Sequence, residues 1–279
     1  MKSSSDLFPV TLLTAELKPQ WNEDTYLLKP NNSGDPTVSF ALTRFSVDPT
    51  KKGKPILWLP PFLHGRGEWL AYAELWVKTL LNAGYDLWFL EWRGHGASVF
   101  NEQWSSNRLH LLAWCDVPAA LDFIVEQSDS PVKIVAESSA AQVWVKAMAY
   151  EKTLPIVGSL LWYPALGRLS CATYVTRMNW ESHALESTRG GVKHRTGHES
   201  LNRHLFDELM LGQRALLGRW QSGVFPGRLR VIEDPALEKP LTKWMSSLGD
   251  AEYQTKADYY PPGKVSPALW ANWLDELDP

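Results

Sequence analysis

Short apolar runs of β type alternate with helical patterns along most of this chain, and the alternation leaves few architectures open. Parallel strands need a long crossover between them, and a helix is the usual one. Residues 37–47 (TVSFALTRFSV) read as a strand after the turn-forming run 31–36 (NNSGDP). Residues 55–60 (PILWLP), 86–92 (DLWFLEW), 132–136 (VKIVA) and 156–163 (IVGSLLWY) follow. They are almost wholly apolar, as strands covered on both faces must be. Between them lie helical patterns over 69–83, closed by Gly84, over 116–127, opened by Asp116 as N-cap with Pro118 in the first turn, and over 139–150.

The rhythm stops at residues 165–228, which hold four of the seven histidines, several charges and no strand pattern. It resumes with a short strand at 229–232, a helix at 241–247 and a last strand at 251–255. Ser266 and Pro267 then open a closing helix whose stripe is Trp270, Trp273, Leu274 and Leu277. The expected organisation is a core built from 1–164 and 229–279, interrupted by a helical cap at 165–228. With 279 residues and about 150 per domain, one large domain or two small ones are both consistent.

Composition removes several classes of function. At 44% hydrophobic and 21% charged the chain has ordinary globular usage rather than that of a disordered one. A net charge of −3 with no block of Lys or Arg gives nucleic acid nothing to hold. The apolar stretch 7–17 is broken by Pro9 and Glu16 and is too short to span a bilayer, so no integral membrane segment and a cytoplasmic protein are expected. Cys115 and Cys171 match no metal or redox spacing and read as small buried hydrophobes in a reduced compartment. The fifteen tryptophans are unusual, and core packing outweighs an aromatic-lined pocket as their reading.

The segment 133–142 (KIVAESSAAQ) carries the chemistry. A strand runs into Glu137-Ser138-Ser139 and then into small residues that open a helix. So sharp a turn brings backbones together, and only small residues fit two places either side of its tip, which Ala136 and Ala140 satisfy. Ser138 would stand above the strand ends, with the Ser139 amide at the helix N-terminus aimed at any oxyanion formed there.

The runs 64–68 (HGRGE), after the second strand, and 93–98 (RGHGAS), after the third, set this elbow in a familiar order. From residue 37 to the end the chain resembles the α/β-hydrolase fold, and over 55–164 it looks like the lysophospholipase and monoacylglycerol-lipase branch. The resemblance implies a mostly parallel sheet with helices on both faces, a helical cap, and Ser138 as nucleophile. It further implies the amides of Arg66 and Ser139 as the oxyanion hole, with His64, Gly65 and His95 ordering the loops. Glu137 resembles the glutamate that precedes the nucleophile in carboxylesterases. Asp234, just past the strand at 229–232 and held by Pro235, fits the acid.

The general base is missing from its usual place. No histidine follows His204, and the stretch 256–261 (KADYYP) offers Asp258 or Tyr259 there. Phenol is too basic and carboxylate too weak a base to replace imidazole well. A cap histidine, His183, His194, His198 or His204, could reach over the site instead. His194 and His198, at i and i+4, have a spacing that suits a metal, but they lie in a polar, Arg-rich, glycine-interrupted stretch that reads as surface, and neither a metal nor a cofactor is expected. Two readings follow: a serine esterase, lipase or thioesterase acting on a small apolar acyl substrate, or a hydrolase-fold protein without turnover that binds an apolar ligand or a protein partner, or performs a non-hydrolytic step.

Overall fold

The computed structural model describes residues 4–62, 65–104, 107–151, 153–162, 228–233, 256–259 and 266–278. Among them, nine strands form one sheet: β1 (Val10–Leu17), β2 (Asn22–Leu28), β3 (Phe40–Ser46), β4 (Lys54–Leu59), β5 (Tyr85–Glu91), β6 (Val132–Glu137), β7 (Ile156–Trp162), β8 (Arg228–Glu233) and β9 (Lys256–Tyr259). Their spatial order is β1-β2-β3-β5-β4-β6-β7-β8-β9. The first three strands pair antiparallel with their neighbours, and the strands from β5 to β9 pair in parallel. The helices are α1 (Arg66–Asn82), the single turn α2 (Leu109–Leu111), α3 (Val117–Ser128), α4 (Ala140–Tyr150) and α5 (Pro267–Asp275).

Alternation along each central strand divides the core in two. Leu57 and Leu59 of β4, Trp88 and Leu90 of β5, and Ile134 and Ala136 of β6 face α3 and α4. Ile56, Trp58, Leu87, Phe89 and Val135 face α1 and α5. Both faces are dry, which is why these strands read as unbroken apolar runs. The carboxyl ends of β4, β5, β6 and β7 therefore lie along one rim, where open α/β sheets place their ligands.

Several tryptophans pack the second core. Trp270 lies 4.1 Å from Trp162, 5.0 Å from Trp58 and 5.7 Å from Trp76, measured between ring centroids. Trp58 also meets Trp69 edge-on at 4.9 Å. These indoles fill the space between the sheet and helices α1 and α5. Helix α5 begins as its sequence predicts, with Ser266 Oγ accepting the Leu269 amide at 3.2 Å and Pro267 in the first turn. Its other end is anchored by buried Lys133, whose Nζ donates to Leu274 O at 2.7 Å and pairs with Asp278 at 2.8 Å.

The structure departs from the sequence expectations in several places. Residues 7–17, an apolar stretch broken by Pro9 and Glu16, contain strand β1, which pairs with β2 at the sheet edge. Asp116 does not cap α3: helix precedes it through α2 and a π-turn at Leu112–Asp116, and its carboxylate is bound by Arg93 Nε at 2.8 Å. A strand lies at Lys256–Tyr259, just past the residues expected for it. The expected strand at 251–255, the helix at 241–247 and the cap, except Arg228, lie outside the described residues. Cys115 is buried and free, and Cys171 is outside. No described helix is long and apolar enough to cross a membrane.

Replacing Trp270 with alanine removes the ring at the centre of the indole cluster. The expected cost is about 3–5 kcal/mol, read from the midpoint of urea unfolding.

Candidate active site

Strand β6 is paired on both sides at its end: Ala136 is level with Leu59 of β4 and Leu161 of β7, and Glu137 with Trp162. The next residue, Ser138, turns into the left-handed region at φ 51° while its amide donates to Trp162 O at 2.8 Å. A non-glycine residue there costs about 1–3 kcal/mol and persists only where its surroundings enforce it. Ala136 and Ala140 are completely buried beside the turn, so their small size matches the close backbone approach. Ser138 itself keeps 5% of its surface exposed. Helix α4 starts immediately after Ser139, which places that residue's amide at a helix N-terminus behind the turn.

The second expected oxyanion donor is engaged elsewhere. The Arg66 amide donates to Glu91 Oε1 at 3.1 Å, and its guanidinium donates to Thr25 Oγ1 at 2.8 Å and lies 3.5 Å from Glu23 Oε2. Arg66 is thus tied at both ends to β2 and β5. Among the described residues, the Phe62 amide reaches the elbow, donating to Ser139 Oγ at 3.1 Å. Phe62 is the third residue past the end of β4, and Pro60 and Pro61 before it have no N–H to offer. Counting from the strand end rather than from the glycine motif would have singled it out.

The two glycine-rich motifs instead enclose Glu91, which is 3% exposed. A Cβ on Gly96, whose φ is 52°, would lie 1.8 Å from Glu91 Oε1, and one on Gly65 would lie 3.6 Å away. Gly65 opens α1, its amide donating to Glu68 Oε2 at 2.9 Å. Burial pushes the Glu91 carboxyl above its ordinary pKa, with the Glu68 charge adding and Arg66 opposing. Arg93 is held by Asp116 and by Asn107 Oδ1 at 3.2 Å, while buried His95 has Nδ1 3.2 Å from Arg93 O. These contacts fix the loop. Glu137 is half-buried and accepts Trp58 Nε1 at 3.2 Å, on the face away from α4.

His64, Asp234 and the histidines His183, His194, His198 and His204 lie outside the described residues. Of the expected site, the structure therefore brings Ser138, Ser139 and Glu137 together at the end of β6. Gly65 and Arg66 stand at the start of α1, around Glu91.

No family model and no curated protein matches the chain. Solved structures do. An esterase from Pyrococcus furiosus aligns over 95% of this chain and 95% of its own, with TM-score 0.60 and 13% identity. A thermostable carboxyl esterase from Bacillus coagulans aligns over 91% and 98%, with TM-score 0.57 and 12% identity. A thioesterase domain from the curacin biosynthetic pathway aligns over 94% and 99%, with TM-score 0.55 and 14% identity. Together with the strand order, these likenesses establish the α/β-hydrolase fold.

The Glu91 environment yields a pH prediction. With its folded pKa raised, stability from the protonated carboxyl is complete below the unfolded value and is lost as pH rises through the folded one. Glu91→Gln keeps an oxygen for the Arg66 amide without the charge. Its Tm relative to wild type should therefore climb as pH rises above the ordinary carboxylate range, as calorimetry at successive pH values would show.

Proposed function

We propose that this chain is a serine hydrolase that cleaves an acyl ester or thioester with an apolar acyl group, through Ser138. The observation that carries this reading is the left-handed, non-glycine turn at Ser138 between β6 and α4. Such strain at the carboxyl end of a central strand presents a side chain toward the rim where ligands bind, and supports a nucleophile. The full-length likeness to esterases and a thioesterase domain is consistent with it.

In the proposed reaction Ser138 Oγ attacks the acyl carbonyl and passes its proton to a base. The carbonyl oxygen takes negative charge beside the Ser139 and Phe62 amides. The bond to the leaving oxygen or sulfur then breaks, the leaving group takes the proton, and water releases the acid from the acyl-enzyme. We assign the base to one of the cap histidines and the acid to Asp234. A second reading, a hydrolase-fold binding protein without turnover, is favoured by the absence of histidine after His204. It predicts saturable binding of an apolar ligand that Ser138→Ala leaves unchanged.

A fluorophosphonate probe should label the wild-type protein and not Ser138→Ala, and hydrolysis of p-nitrophenyl butyrate should fall by at least about a thousandfold in the variant. A folded wild-type protein that neither labels nor turns over ester excludes the hydrolase.

A further inference from the structure

Ser139 stands where a serine ordinarily turns its hydroxyl onto the first amides of its own helix. It makes no such bond. Its Oγ instead accepts the amide of Phe62, 77 positions away in sequence, at 3.1 Å, and both residues are buried. Phe62 has little freedom to move from this place. The preceding loop is pinned by Trp92 Nε1, which donates to Pro60 O at 2.8 Å, and the Phe62 ring packs on Trp92 with centroids 5.1 Å apart. A buried amide left without an acceptor is costly, so the hydroxyl fills a position that some oxygen has to occupy.

We propose that the Ser139 hydroxyl is an internal stand-in for the substrate's carbonyl oxygen. It occupies the Phe62 amide while the site is empty and releases it when an acyl group reaches Ser138, so it tunes how strongly the site draws an oxyanion. This rests on the assignment of Ser138 as nucleophile. Three oxygens, the hydroxyl, the ground-state carbonyl and the oxyanion, compete for one N–H. The hydroxyl bond is of ordinary neutral strength, whereas an oxyanion makes a charge-assisted bond about twice as strong. The competition therefore weakens the site moderately without closing it. The same hydroxyl stabilises the empty protein, and removing it should raise reactivity while lowering stability. A purely structural serine would not couple the two in opposite directions.

The test uses Ser139→Ala and Ser139→Gly, each shown to be folded by circular dichroism, against wild type. Labelling by an ethoxy fluorophosphonate, whose phosphoryl oxygen would take the oxyanion position, should be about three- to tenfold faster in both variants, with a lower Tm. Hydrogen exchange at the Phe62 amide should be faster in both variants before labelling, and slow again once Ser138 carries the phosphonate. If wild type labels and neither variant is faster, or if the Phe62 amide stays unprotected after labelling, the stand-in role is wrong and the nucleophile stands. Failure of all three folded proteins to label overturns both.

Discussion

The backbone at Ser138 is the constraint around which the rest of the structure is arranged. A serine at φ 51° is strained. What holds it is the pairing of β6 on both sides, continued one residue further by the bond from its amide to Trp162 O. The turn is also crowded, and Ala136 and Ala140 are as small as it needs. Helix α4 then starts without a capping side chain of its own, because Ser139 has turned its hydroxyl to another strand's exit loop. Fold stability and site geometry thus meet in the same few residues.

Beside this turn lies a second polar centre with a different purpose. Glu91 ends β5 in a cage made by the first turn of α1 and by the loop containing Gly96. A buried carboxyl with few partners is expensive, yet here it draws the two glycine-rich loops together and fixes the entry of α1. The Arg66 side chain extends the network to Glu23, Thr25 and Thr43. Motifs that by resemblance point to an oxyanion loop are therefore built around an acid, and the amide beside the elbow comes from the strand exit that precedes them. In both centres the glycines and alanines are there for space, and a side chain's chemistry does not follow from the motif it sits in.

Strands β4, β5, β6 and β7 were legible because burial on both faces forces apolar runs that few other structures tolerate. The start of α5 was legible because Ser266 and Pro267 act within one turn of chain. β1 was not, since all but its first residue is exposed and no face carries a core pattern. β2 contains Asn22, Glu23 and Asp24, polar residues in or beside the core, where Glu23 is answered by Trp21, Lys18 and Arg66. Asp116 looked like a cap because a local role is the default for an aspartate before a helix, and Arg93 could not be seen from that position.

The sequence alone determined the alternation of strand and helix, the sheet's two dry faces and the sharp turn after β6, because each follows from periodicity or side-chain size over a few neighbouring residues. Only the tertiary structure decided which amide meets Ser139, that Glu91 occupies the glycine-rich cage, and that Trp270 sits among Trp58, Trp76 and Trp162. Those contacts join residues tens of positions apart, and sheet order and register bring them together. Local pattern encodes what a segment becomes, but not which distant donor will find its acceptor.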